Sequence, residues 1–251
     1  MNEVGLWAWF LFESGLGTQR AKELLTRWDQ RAWSLTDVVE RLPRSADRFS
    51  LTAEEAKLLQ PPGLLPRVDA LTWNDARYPE GLRDLPLKLR PALLFYEGDP
   101  ALLTLPRVYL KPASLTEAEG GHLREILNLL IGETVLFAAY AGTTQAQILV
   151  EELAYGQGEA MLFAASGLAR CEPSEQELAL LDQGRLLLTS PLPANTPPRS
   201  AWRDILQQVA AAAATQILIS GTLEGQDLTS LGSKPALAVS WADDAPPPPP
   251  N

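Results

Sequence analysis

His122 and Cys171 are the only histidine and the only cysteine in 251 residues. One cysteine allows no intrachain disulfide, and one histidine with one cysteine cannot make a structural zinc set. A Ser-His-Asp triad would have to use His122, which lies in the pattern GGHLREILNLL and reads as an ordinary helix residue. The paired carboxylates Glu54-Glu55, Glu151-Glu152 and Asp243-Asp244 are sequence neighbours. Adjacent residues on a helix do not face each other, so these pairs read as solvated surface charge. No G-x-G-x-x-G follows a strand pattern and no Walker A run exists, which argues against NAD, FAD and ATP hydrolysis. The residue types therefore predict no catalytic constellation, no metal and no cofactor. What remains is a set of small, polar and basic residues just beyond apolar runs: Lys111, Ser114, Gly142, Thr143, Ser166, Gly167 and Arg170, with Arg199 and Arg203 close to the next one. If those runs are strands of one open sheet, these residues share the crevice at its carboxyl ends, where they suit a phosphate or a strand of DNA. The plainer reading of Lys111, Arg170, Arg199 and Arg203 is that each is a lone surface cation.

The elements that must position these residues come in two blocks. Residues 3–60 read as helical: Leu6, Trp9 and Phe10 lead into Ser14-Gly15-Leu16-Gly17, after which Ala21, Leu24, Leu25 and Trp28 recur at helical spacing. The run SGLGTQRAKELL is similar to a helix-hairpin-helix, whose glycines permit tight backbone geometry beside a phosphate; a plain turn between packed helices fits it too. Further helices are expected at 34–41, with Ser34 or Thr36 as N-cap, and at 52–59, where Thr52-Ala53-Glu54-Glu55 reads as a capping box. Pro61-Pro62-Gly63 and Pro66 end the unit.

Next comes LTWNDARYPEGLRDLPLKLRPALLFYEGD, residues 71–99. Its prolines push Tyr78, Leu85 and Arg90 away from helix, and 92–96 reads as a strand ending at Gly98. Strands at 107–111, 134–139, 160–165, 185–189, 216–220 and 237–239 then alternate with helices at 116–131, 144–155, 174–182 and 202–214. Their continuous apolar runs suit strands covered on both faces. The expected fold is α/β, a Rossmann-like, doubly wound, mostly parallel sheet preceded by a small all-α (helix-hairpin-helix or SAM-like) domain. The boundaries are 1–66, 67–240 and a Pro-rich tail, 241–251, which suits an extended polyproline conformation.

The net charge of −10 opposes broad, non-specific nucleic-acid binding, because phosphate neutralisation supplies most of that affinity; a local basic patch stays compatible with it. No apolar run is long enough to span a membrane, and the apolar N-terminus carries Glu3 rather than a basic leader, so a buried helix and a cytoplasmic location are expected.

The 71–99 segment resembles the linker strand that opens the nucleotide-binding-like domain of the DprA/Smf DNA-processing family. Trp73, Asp75, Tyr78, Pro79, Leu82, Pro91, Leu94, Phe95, Gly98 and Asp99 carry the match. Downstream the framework persists while the ligand-contacting motifs change. Lys111-Pro112-Ala113-Ser114 stands where the family has V-G-S-R, so a proline without an N–H and an uncharged serine replace its glycine and arginine. Gly142 survives in the second loop, with Thr144 at the aspartate position. In AMLFAASGLARCEPSEQ, Gly167, Leu168 and Pro173 keep their places, whereas Ala169, Glu172 and Gln176 do not. Thr189-Ser190 replaces Ser-Glu, Arg203 alone stands near the F-x-x-R-N-R helix start, and Gly221-Thr222-Leu223-Glu224-Gly225 echoes the last motif. On this pattern a counterpart of the family's C-terminal winged helix is not expected in these 251 residues.

The resemblance implies single-stranded DNA as ligand, a homodimer formed through the Rossmann-like domain, and loading of a RecA-type recombinase during transformation. The lost motifs imply an alternative, a scaffold or protein-interaction module that kept the fold and no longer binds DNA. A phosphoribohydrolase-like enzyme on the same sheet would need P-G-G-x-G-T-x-x-E, of which Gly221-Thr222-Leu223-Glu224 is only a shadow.

Overall fold

A computed structural model of the chain describes residues 2–131, 135–220 and 236–239. The Gly221–Gly225 echo and the Pro-rich tail lie outside the described residues.

Four helices come first: α1 (Glu3–Phe12), α2 (Thr18–Asp29), α3 (Leu35–Ser45) and α4 (Ala53–Leu58). Helix α1 is apolar on all sides and is buried from Gly5 to Leu11, as such a helix must be. The α1–α2 turn uses Gly15 at φ 84° and Gly17 at φ 79°, backbone that residues with a Cβ avoid. Ser34 caps α3 and Thr52 caps α4, both as reciprocal capping boxes.

Arg20 of α2 ties these helices together. Its Nε donates to Glu55 at 2.6 Å and its Nη2 to the same carboxylate at 3.2 Å, while the Thr52 amide donates to Glu55 at 2.8 Å. The Arg20 guanidinium, and secondarily the Thr52 donors, hold the Glu55 carboxyl down to about 2. A depressed carboxylate stabilises the fold fully above its unfolded value and less as pH falls from 4.5 through about 2. Glu55→Gln is therefore expected to cost about 1 kcal/mol at neutral pH and to flatten the acid limb of stability in that window, read from urea midpoints against pH.

The 71–99 segment joins the helices to the sheet. It forms β1 (Ala70–Thr72), a single turn α5 (Glu80–Arg83) and β2 (Leu93–Gly98). The Tyr78 hydroxyl donates to Pro91 O at 2.5 Å, and Leu82 is fully buried. Arg83 donates from Nε to Trp73 O at 3.0 Å and from Nη2 to Asp75 O at 2.6 Å. The motif residues thus close the segment on itself, which is a framework role.

Then follow β3 (Arg107–Leu110), α6 (Glu117–Leu130), β4 (Leu136–Tyr140), α7 (Thr144–Tyr155), β5 (Glu159–Phe163), α8 (Glu175–Asp182), β6 (Leu186–Ser190), α9 (Arg203–Ala213), β7 (Gln216–Ser220) and β8 (Ala236–Val239). They form one eight-stranded sheet in the order β1-β2-β6-β5-β4-β3-β7-β8. The β1–β2 and β2–β6 pairs are antiparallel; the remaining pairs are parallel. This is a mixed α/β sheet with flanking helices, a Rossmann-like arrangement.

Strand residues alternate between two cores, as a period of two requires. Leu136, Ala138, Tyr140, Met161, Phe163 and Leu187 face the core that contains α1, α2 and α9. Phe137, Ala139, Ala160, Leu162, Leu186 and Leu188 face the core of α6, α7 and α8. Burial on both faces explains the uninterrupted apolar runs. Among the described residues no helix is long and apolar enough to cross a membrane.

Candidate functional site

Strand β3 has β4 on one side and β7 on the other, so the chain winds outward in both directions from it. Helices α6 and α7 cover one face, and α9 covers the opposite one. Loops at the carboxyl ends therefore part, and a crevice opens between them.

One half of the crevice, about 640 Å³, is lined by Pro112–Ser114 after β3, Tyr140–Gln145 after β4, Ala165 after β5, and Pro198–Ser200, Arg203 and Gln207 before and within α9. Ser114, Gly142, Thr143, Arg199 and Arg203, far apart in sequence, meet here. Among the described residues its charged lining residues are both arginines. The Arg199 guanidinium lies 4.9 Å from the Trp202 ring centroid, which holds it by a cation–π contact at the start of α9. Burial pushes the Tyr140 phenol above its ordinary range, and the charge of Arg203 partly offsets that shift.

The other half, about 620 Å³, shares Ala141–Thr144 and Ala165 and adds Ser166, Cys171, Glu172 and residues of α7 and α8. Its charged residues are Glu151, Glu172 and Glu177. Glu151 pairs with Arg124 at 2.6 Å, and Glu177 closes the Ser174 capping box. The crevice is thus basic toward α9 and acidic toward α8.

The remaining predicted residues lie around this crevice without lining its basic half. Lys111 follows β3 half-buried, with its amide donating to Leu218 O at 3.0 Å. Ser166 is buried; its carbonyl accepts from Ser190 Oγ at 2.7 Å and its hydroxyl lies 3.6 Å from Cys171 Sγ. Gly167 is buried where the 193–194 backbone crosses it, and a Cβ there would sit 2.0 Å from Pro193 O. Arg170 is exposed on the short 3-10 turn Leu168–Arg170 and lines neither half.

Thr143 is the N-cap of α7. Its Oγ1 accepts from the Ala146 amide at 3.2 Å and donates to Tyr140 O at 2.7 Å. The hydroxyl is committed to the fold, so Thr143→Ala is expected to cost about 1 kcal/mol in urea unfolding, as other lost caps do. Gly142 precedes it at φ 77° with open space where a Cβ would go.

Tyr140, Gln145, Trp202 and Gln207 were not singled out by the sequence. Tyr140 and Trp202 do carry a signal: an aromatic closing an apolar strand, and an aromatic three residues after Arg199. Gln145 is buried, and its Nε2 donates to Ala113 O at 2.9 Å, pinning the β3 loop to α7.

An open, mostly parallel sheet with its crevice at the carboxyl ends defines a Rossmann-like protein. The structure is similar to that of DNA processing protein A (DprA) from Streptococcus pneumoniae, with a TM-score of 0.69 and 14% identity over 96% of this chain and 88% of that one. It is also similar to DNA processing protein A from Helicobacter pylori, a structure described for its single-stranded DNA binding mode, with a TM-score of 0.55 and 14% identity over 71% of this chain and 83% of that one. No family model matches the sequence, and no curated protein matches it significantly. At such identity the likeness establishes the fold.

Proposed function

We propose that this chain is a DprA-like DNA-processing protein that binds single-stranded DNA in the basic half of the strand-end crevice. The observation that carries the reading is the meeting of Arg199 and Arg203 with the Pro112–Ser114 and Tyr140–Gln145 loops in one cavity whose charged lining, among the described residues, is cationic. Guanidinium groups beside aromatic rings suit a phosphate backbone with its bases. The fold likeness to two DNA processing proteins, one described for its single-stranded DNA binding mode, and the motif match at residues 71–99 support the same reading.

On this reading the chain works in the cytoplasm as a homodimer, hands its strand to a RecA-type recombinase, and uses the α1–Gly15–Gly17–α2 turn as a helix-hairpin-helix. The reading includes no catalytic step. Fluorescence anisotropy with labelled oligo-dT at low salt tests it: saturable binding that weakens linearly in log–log with salt is the expected result. Absence of binding at tens of micromolar protein would remove the DNA-binding part.

The scaffold reading has its own observation. Glu151, Glu172 and Glu177 line the adjoining half of the crevice, and Pro112 stands where a phosphate would want an amide donor. Cross-linking that returns a protein partner from a preparation free of nucleic acid would favour it.

A further inference from the structure

A second cationic cavity lies away from the strand ends, between α2 and the 73–90 segment. It is about 440 Å³ and is lined by Thr26, Asp29, Trp73, Asn74, Arg83 and Arg90. Arg83 stacks 5.8 Å from the Tyr78 ring centroid and Arg90 stacks 5.9 Å from that of Trp73. Each guanidinium is further oriented by backbone carbonyls: Arg83 by those of Trp73 and Asp75, Arg90 through Nε and Nη2 by that of Leu85. Among the described residues neither arginine forms a carboxylate ion pair within 4.0 Å, and each is hydrogen-bonded through Nε and Nη2. Carbonyls hold both guanidinium groups in place, and the Asp75 carboxylate, which feels the charge of Arg83, is itself paired with Arg77 at 3.0 Å.

Behind the wall, one turn before Thr26, lies Lys22. It is 7% exposed. Among the described residues its ammonium reaches two carbonyls, Leu87 O at 3.3 Å and Lys88 O at 3.4 Å, and no carboxylate pairs with it. Burial, then the positive charge of Arg90, pushes its amine down to about 8. A buried cation without a carboxylate is costly, and a second cation beside it adds to the cost. Among the described residues Asp29 is the carboxylate on the cavity wall; it is exposed, while Arg83 and Arg90 line the same wall and Lys22 lies behind it. An anion in the cavity removes that imbalance. Donors from two guanidinium groups suit a tetrahedral oxyanion better than a planar carboxylate, which one arginine already satisfies bidentately.

We infer that this cavity binds a phosphate group. The phosphate belongs either to a small free phosphate compound or to a nucleic-acid strand, and the recognition chemistry is the same for both. The site is separate from the strand-end crevice and shares none of its lining residues.

The test uses the full chain. Sodium phosphate is titrated against sodium chloride at matched ionic strength, with melting temperature and phosphorus NMR line width as readouts. The expected result is a saturable, phosphate-specific response that Arg90→Gln and Lys22→Met each weaken by about tenfold. Arg199→Gln with Arg203→Gln removes the cations of the proposed DNA crevice, so the phosphate response that persists in that double variant reads this site alone. Displacement of phosphate by oligo-dT in that double variant would assign the phosphate to a DNA strand; retention would assign it to a small phosphate compound. A wild-type response no larger than that to chloride would overturn the inference. So would a full response in both the Arg90 and Lys22 variants. The NMR line width still reads binding where either variant lowers the melting temperature.

Discussion

Replacing Arg199 and Arg203 together with glutamine is expected to weaken oligo-dT binding by about tenfold to a hundredfold. Both side chains are exposed and line the basic half of the crevice, and Arg199 is held against Trp202. Each removed phosphate contact also flattens the salt dependence by about 0.7 in log–log slope for a single strand, so the pair should lower it by about 1.4. Fluorescence anisotropy over about 50 to 200 mM salt measures both quantities. Glutamine keeps most of the side-chain bulk, so circular dichroism should match the wild type. Arg170→Gln is the control: this cation is exposed and outside both halves of the crevice, and its loss should leave affinity and slope in place. Unchanged affinity and slope in the double variant would place any DNA elsewhere and strengthen the scaffold reading.

Gly167→Ala is expected to be the most damaging single methyl addition in the strand-end loops. A Cβ at Gly167 would lie 2.0 Å from Pro193 O and 2.3 Å from Ala194 O, and both atoms are backbone. The 193–196 crossing is itself fastened, with the Gly167 amide donating to Thr196 O at 2.9 Å and the Ala169 amide to Ala194 O at 3.0 Å. The clash cannot be relieved by turning a side chain, so the two loops must separate and lose these bonds. A cost of about 3 kcal/mol or more follows, a melting shift of about 6–12 °C for a chain of this size. The displaced loop leads directly to Arg199, so oligo-dT binding should fall as well. Gly142→Ala provides the contrast. Its φ of 77° disfavours a side chain, yet nothing lies within 4 Å of the added Cβ. That variant should lose only about 1–2 kcal/mol and keep the fold. Equal melting temperatures for the two variants would refute the close-approach argument.

The local features were readable because their causes are local. Thr52 and Glu55 form the capping box that their spacing implies, and Ser34 rather than Thr36 caps α3. The runs at β4, β5 and β6 are uninterrupted because both sheet faces are covered, so their composition alone marks them as interior strands. In the 71–99 segment the prolines mark the breaks at Tyr78, Leu85 and Arg90, whereas the hydrogen bond from Tyr78 to Pro91 that closes the segment needed the fold. The three-residue β1 escaped notice, since its place in the sheet rests on pairing with β2 rather than on its own pattern.

What the sequence by itself determined is the alternation of elements, their caps and breaks, the absence of a nucleotide-binding glycine fingerprint, and the short supply of soft ligands. Each depends on residues within a few positions of one another. Tertiary structure alone decided that β2 runs antiparallel against β6, that Arg199 and Arg203 line one cavity with Ser114 and Gly142, and that Gly167 lies beneath a backbone crossing. It also decided that Lys22, an unremarkable lysine on an amphipathic helix, is buried beside Arg90. These are contacts between residues tens of positions apart, set by how two cores pack across one sheet. Charge and hydropathy patterns carry no record of which distant loops a packed core will bring together, or of which cations it will leave facing an empty space.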